Sequence, residues 1–161
     1  MIKKKKKTKR KKAKKSKSPY QIVIIGCGRL GSLIANRLSA YGHNLIVIDN
    51  NPDSFDNLSA EFSGFRIEGD ATEFNILNKA KITQADIFIT STSDDNINLM
   101  VAQVAKKLCN VPHVVARVFD PKKEATFKEM GVETICPTFI AGEVLLDTIA
   151  ESLSKQSGGE K

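Results

Sequence analysis

Residues 22–31 read IVIIGCGRLG, a run of β-branched side chains that stops at three glycines spaced G-x-G-x-x-G. Few features narrow a chain's options as much. An apolar run without polar alternation is a strand buried on both faces. The glycines then divide the work. Gly26 permits a tight turn, Gly28 lets the backbone approach a pyrophosphate, and Gly31 lets the next helix lie close to the sheet. The start of that helix offers free N–H groups and the positive end of its dipole to an anion. The spacing alone is a weak signal, and its place between a strand and a helix gives it meaning.

A second apolar run, LIVID, ends on Asp49, 18 residues beyond Gly31. An acid at that point accepts hydrogen bonds from ribose hydroxyls. It also repels a 2′-phosphate, and no Arg follows it in Asn50-Asn51-Pro52. The pattern therefore suits an adenine nucleotide with a free ribose 2′-hydroxyl, namely NAD(H), ATP, ADP or AMP, and not NADP. A Rossmann fold that has lost its ligand is the competing reading, and the intact glycines and acid weigh against it.

The remaining chain alternates strand and helix. Strands are predicted at Gln21–Ile25, Leu45–Asp49, Phe65–Glu68, Asp86–Thr90, Val114–Val118 and Glu133–Ile135. Helices are predicted over Leu30–Tyr41, from Asn51-Pro52, over Thr72–Ala80, from Asp94 or Asp95 to about Leu108, from Asp120-Pro121, and from a Thr138 cap to about Ser154. Cap-plus-proline pairs mark two of the starts. Six such units imply an α/β, Rossmann-like, doubly wound parallel sheet in the order 3-2-1-4-5-6, with helices on both faces.

Ligands of such sheets sit beyond the carboxyl ends of the strands. Asp70, after the third strand, either meets an adenine edge or caps the next helix. Thr92 and Ser93, within Ser91-Thr92-Ser93-Asp94-Asp95, bring hydroxyls to the switch point after the fourth strand, and part of that set must serve as cap. Arg117 closes the fifth strand and needs an anionic partner, either a phosphate or an acid across an interface. Arg29 is a second cation by the phosphates or a solvated side chain. Cys27 has no base beside it and reads as a small packing residue.

Chemistry is harder to find. His43 and His113 fall at the amino ends of strands, the wrong edge for a proton relay to a bound cofactor. No Ser-His-Asp set, H-E-x-x-H or Walker lysine is present. Adjacent carboxylates such as Asp94 and Asp95 point apart, so no metal site is expected. Cys27, Cys109 and Cys136 have neither the number nor the spacing of a disulfide framework or a zinc site. The reading is a binding protein with no catalytic residues, in which ligand shifts a conformational equilibrium. The alternative is an NAD-dependent oxidoreductase or a redox-sensing Rossmann transcriptional regulator.

The strings IVIIGCGRLGSLIANRL, LIVID, EGDAT, TSDDNINLMVAQVAKKL, VVARVFDP and GVETICPTFIAGEVL together resemble the TrkA-N or KTN domain of potassium-uptake regulatory proteins, also called the RCK N-terminal domain. The resemblance covers about residues 20–153. It implies a cytoplasmic domain at the inner face of the membrane that dimerises and joins a ring of dimers under a potassium channel or transporter. It implies NAD(H) or ATP/ADP as ligand and gating of ion flux by the nucleotide state. By motif it places nucleotide contacts on Gly26, Cys27, Gly28, Arg29, Leu30, Gly31, Asp49, Thr92, Ser93 and Arg117, with Asp70 nearby. Arg29 matches a position that reaches a neighbouring subunit's nucleotide in ATP-binding relatives. The stripe Ile140, Val144, Leu145, Ile149, Leu153 matches a region that helps build the dimer, while packing on its own sheet is the competing reading. Many relatives continue into a smaller C-terminal ligand-binding domain, which is not expected here because the chain stops at Lys161.

Charge separates the ends from the middle. Residues 1–18 hold 12 of the 25 Lys and Arg and no acid, which leaves 13 basic and 18 acidic residues over 19–161, a balance of −5. The expected organisation is a disordered polybasic tail at 1–18, one nucleotide-binding domain at 19–154 and a flexible end at 155–161. Like charges keep the tail from folding. It is not part of the resemblance, and it has no apolar stretch to make it a secretory signal. An anionic membrane surface is the favoured partner, and the absence of aromatic residues argues against single-strand nucleic acid. No apolar run approaches the ~18 residues of a membrane span.

Overall fold

The computed structural model describes residues 19–156. The expected disorder of 1–18 and flexibility of 157–161 fall outside the described residues.

Six strands form one sheet in the order β3-β2-β1-β4-β5-β6, all pairs parallel. They are β1 (Gln21–Ile25), β2 (Asn44–Asp49), β3 (Phe65–Glu68), β4 (Ile87–Thr90), β5 (His113–Arg117) and β6 (Glu133–Ile135). The helices are α1 (Arg29–Ala40), α2 (Phe74–Lys79), α3 (Asp95–Gln103), α4 (Glu124–Glu129) and α5 (Pro137–Gln156). A 3₁₀ turn at Pro52–Asn57 takes the place of a second long helix. The expected doubly wound order is the one observed, with each strand within a residue of its predicted bounds.

Three helix boundaries differ from the expectation, each for a local reason. The Asp70 carboxylate accepts from the Thr72 amide and closes a turn first, so α2 begins at Phe74 and not at Thr72. Pro137 takes the first position of α5, where its missing N–H costs nothing, so Thr138 lies inside the helix and is not its cap. The same helix continues past Ser154 to Gln156, into the segment expected to be flexible. The helix after β4 does reach Leu108, but its last stretch, Val104–Leu108, widens into a π-helix in which the Cys109 amide bonds to the Val104 carbonyl.

Alternation along β1 feeds two cores. Val23 and Ile25 join Ile48, Phe88, Val101 and Phe127 on one face. Ile22 and Ile24 join Leu45, Val47, Ala35 and Phe62 on the other. Both faces of the central strands are therefore dry, which is what a strand without polar alternation requires.

The glycine loop closes this frame. Gly26 has φ +93°, a left-handed conformation that side chains rarely adopt, and its backbone lies against Ser91 and Thr92. A Cβ on Gly31 would stand 1.9 Å from the Gly26 carbonyl oxygen and 2.6 Å from Ser91 Oγ. Gly28 has nothing within 4 Å of its would-be Cβ.

α5 behaves differently from the other helices. Its apolar stripe is not packed on the sheet: Ile140, Val144, Leu145, Ile149 and Leu153 are 50–63% exposed. The reading in which the stripe belongs to the domain's own core is thereby excluded. Among the described residues no helix is long and apolar enough to cross a membrane.

These contacts set an expectation for substitution. Gly31→Ala should destabilise by about 2–4 kcal/mol, because the methyl collides with fixed backbone. Gly28→Ala should cost no more than about 1 kcal/mol, the difference between two residues at a helix start. Urea unfolding of both variants checks this, and equal losses would contradict the close helix–sheet approach.

Candidate functional site

The carboxyl ends of β1, β2, β4 and β5 open onto one crevice of about 690 Å³. It follows from the strand order: the connections from β1 and β4 leave to opposite faces, and the gap between them has no covering element. Of the predicted site residues, Gly26, Gly28, Arg29, Leu30, Asp49, Asp70, Thr92, Ser93 and Arg117 line it. Cys27 and Gly31 do not.

Cys27 is fully buried in the core with Ile22 and Ile24. Burial, with the Asp49 carboxylate adding to it, pushes its thiol up to about 11. The thiolate is therefore scarce at neutral pH, which fits packing and not reactivity. Its backbone does matter to the site. The Cys27 amide donates to Asp49 Oδ2 at 2.6 Å, while Asp49 Oδ1 accepts from the Asn51 amide at 2.9 Å. A carboxylate has about four lone-pair directions, so acceptor capacity remains after these two bonds. Opposite it, α1 starts at Arg29 with Gly28 before it and no side-chain cap.

Asp70 does not cap α2, whose N-cap is Glu73; it closes the turn before it, with its carboxyl held below the usual range by the Thr72 amide, and it also lines the crevice. Asp94 is the α3 cap, accepting from the Asn96 and Ile97 amides. Its neighbour Asp95 is buried and points elsewhere, accepting from the Phe119 amide at 2.6 Å and the Asp120 amide at 3.0 Å. The two carboxylates diverge as expected, and among the described residues no group of three His, Cys, Asp or Glu could hold a metal. His43 accepts from the Tyr20 amide, and His113 opens β5; both are at the amino edge, across the sheet from the crevice.

Arg117 is the least satisfied group of the site. Its Nε is buried without a hydrogen-bond partner, its Nη1 reaches the Ser91 carbonyl only at 3.4 Å, and its guanidinium lies 5.5 Å from the centre of the Phe119 ring. A buried donor left unpaired costs about 1–3 kcal/mol, more for a charged group. An anion in the crevice would remove that cost, and the positive helix end and Arg29 favour the same charge.

Ser91, in the predicted hydroxyl run after the fourth strand, lines the crevice, and its Oγ donates to the Ile25 and Gly26 carbonyls, both at 3.0 Å, tying β4 to the glycine loop. Two further site-forming residues are not in the sequence reading. Asn98 bonds to Thr92 and Arg117. Phe119 lines the crevice and stacks on Arg117. Only Asn98 left a signal: a polar residue on the helical stripe Asn98, Val101, Ala102, Ala105, all of it buried.

Known proteins are consistent with this geometry. Residues 22–137 match the TrkA-N domain family. The Trk system potassium uptake protein TrkA of Streptomyces coelicolor is 39% identical over 114 residues, covering 71% of this chain and 51% of that protein. The corresponding homologue of Pyrococcus abyssi is 37% identical over 109 residues, covering 68% and 48%. The chain thus spans about half the length of the curated relatives it matches. Among solved structures, the TrkA-N domain of the Escherichia coli inner membrane protein YbaL superposes with a TM-score of 0.72 at 20% identity, covering 83% of this chain and 98% of that one. The GsuK channel bound to NAD gives a TM-score of 0.68 at 21% identity, covering 81% and 24%. The AMP-bound Kef C-terminal domain of Shewanella denitrificans gives 0.70 at 22% identity, covering 85% and 87%.

Proposed function

The chain belongs to the TrkA-N domain family, and we propose that it acts as a cytoplasmic, nucleotide-sensing regulatory domain of a potassium-uptake system. The ligand is NAD(H) or ATP/ADP, held between the glycine loop and Asp49 on one side and Thr92, Ser93 and Arg117 on the other. The observation that carries this reading is the convergence in one crevice of an uncapped helix start, a carboxylate with spare acceptor capacity and an arginine whose Nε has no partner. Each is unremarkable alone; together they match a ribose and the phosphates attached to it. Relatives named for potassium uptake, and a similarly folded channel bound to NAD, support the class of system and of ligand. The position of both histidines at the far edge of the sheet favours a sensor over an oxidoreductase.

Sensing requires something to move. α5 supplies a surface for it. Phe139, Ile140, Val144, Leu145, Leu146, Ile149 and Leu153 are each at least half exposed. Full burial of such side chains contributes about 1.5–3 kcal/mol each before the costs of association. A second copy of this chain is the partner, and the dimers so formed build the ring under the membrane channel or transporter. The polybasic segment 1–18 would add contact with the anionic inner surface of that membrane, at about 1 kcal/mol per Lys or Arg near the lipid.

Three outcomes are expected. Asp49→Ala should weaken NADH or ATP binding by at least about tenfold, the loss of a charged hydrogen-bond acceptor, and Gly28→Val should abolish it while the circular dichroism stays that of a folded domain; calorimetry at wild-type affinity for either variant would contradict the site. Leu145→Glu with Ile149→Glu should convert the dimer to monomer in sedimentation velocity, and an unchanged sedimentation coefficient would remove α5 from the interface. The full chain should co-sediment with phosphatidylserine vesicles more strongly than a chain starting at Ser18, with the difference shrinking in high salt; no difference rules out the membrane role of the tail.

A further inference from the structure

The crevice has two walls of different construction. The near wall is backbone: the glycine loop, the start of α1, and the Asp49 carboxylate bonded to it. The far wall is two loops, one after β4 with Thr92 and Ser93, one at the end of β5 with Arg117 and Phe119. β4 and β5 are paired only as far as Thr90 and Ala116. Beyond that point the ladder no longer holds the two loops in register.

Side chains do: Arg117 Nη1 reaches the Ser91 carbonyl at 3.4 Å, Asp95 accepts from the Phe119 and Asp120 amides, and among the described residues Asn98 alone bonds directly to both Thr92 and Arg117. Asn98, fully buried on α3, uses all four hydrogen-bonding positions of its amide. Its Nδ2 donates to the Thr92 carbonyl at 3.0 Å and to the Arg117 carbonyl at 3.1 Å. Its Oδ1 accepts from the Thr92 amide at 3.0 Å and the Thr92 hydroxyl at 2.8 Å. Two carbonyls face one end and two donors face the other, so the amide can sit only one way round. An Asn in a helix interior loses helix propensity and must be desolvated. The same stripe continues with Val101, Ala102 and Ala105, so nothing about the core calls for an amide there.

We propose that Asn98 is the positioning residue of the far wall, fixing Thr92 and Arg117 relative to each other so that the part of a nucleotide beyond its first phosphate is gripped. The proposal rests on the nucleotide reading for the identity of the ligand; the clamp itself rests on the four bonds. Asn98 does not line the crevice and acts only through Thr92 and Arg117. AMP is held by the near wall, whereas NADH and ATP extend across to the far one.

The distinction makes the test. In the full-length chain, Asn98→Asp keeps the shape but turns both donors into acceptors facing carbonyls, and Asn98→Ser shortens the side chain so that it cannot span both loops. Val101→Ala, on the same buried stripe, serves as a control that lowers stability while leaving every hydrogen bond of Asn98 to Thr92 and Arg117 in place. Calorimetry is run below the unfolding transition of every variant, with AMP and with whichever of NADH and ATP the wild type binds. The expected result is AMP affinity within about twofold of wild type and at least about tenfold loss for the longer ligand in the Asn98 variants, with Val101→Ala unchanged for both. Hydrogen exchange of the ligand-free chain should show the Thr92 amide protected in wild type and Val101→Ala and exposed in Asn98→Ser, whose hydroxyl is too short to accept from it; Asn98→Asp keeps an acceptor for that amide and is read by affinity alone. Wild-type affinity for the longer ligand, equal losses for AMP and the longer ligand, or retained protection at Thr92 in Asn98→Ser overturns the proposal. Failure of the wild type to bind any of the three nucleotides would sink the nucleotide reading instead, and Thr92 protection alone would then decide the clamp.

Discussion

The structure depends on one close approach, that of the first turn of α1 to the end of β1. Gly31 lies so near the Gly26 carbonyl that a Cβ would be 1.9 Å from its oxygen. From the other side Ser91 Oγ bonds to the Ile25 and Gly26 carbonyls. The junction thus joins β1, α1 and β4 at the point where the chain's connections part to opposite faces. Were the helix held further out, its amino end would not overhang the strand ends, and the crevice would lose the dipole and the free amides that give it a preference for anions. Packing and ligand preference here come from the same atoms.

Away from that junction the site is built from buried polar bonds. Asp49 bonds to the Cys27 amide, Asp95 to the loop after β5, and Asn98 to both far-wall loops. Buried polar groups are costly unless paired, and these are paired, so they hold one geometry and penalise others. Arg117 Nε is the exception, the one buried side-chain polar atom among the described residues with no hydrogen-bond partner.

α5 stands apart from the two cores. The two cores close without it: Val23, Phe88 and Val101 on one face, Ile24, Val47 and Ala35 on the other are already buried. Phe139, Ile140, Val144, Leu145, Leu146 and Ile149 on it stay at least half exposed. Cys136, immediately before α5, places its thiol 3.9 Å from the carbonyl of Phe119, which stacks on Arg117. The root of α5 is thus joined to the crevice through Phe119, which touches both Cys136 and Arg117.

The sequence by itself determined what is local in the chain. The strand order, the glycine tasks at Gly26 and Gly31 and the caps at Asn51 and Asp120 were all legible, because a dihedral, a period or a side chain bonding two residues on is settled by near neighbours. So was most of the crevice lining, since the carboxyl edge of a doubly wound sheet is known once the order is known. The turn that delays α2 to Phe74 is set by the Asp70 bond, and Pro137 takes the first helical position of α5, leaving Thr138 inside the helix. What tertiary structure alone decided was which distant groups meet: Asp95 with Phe119 over 24 residues, Ser91 with Ile25 over 66, and Asn98 with Arg117 over 19. It also decided that the α5 stripe faces outward. An amphipathic period says that a helix has an apolar side, but which surface covers that side depends on where the other elements lie, and that information is not carried by the period.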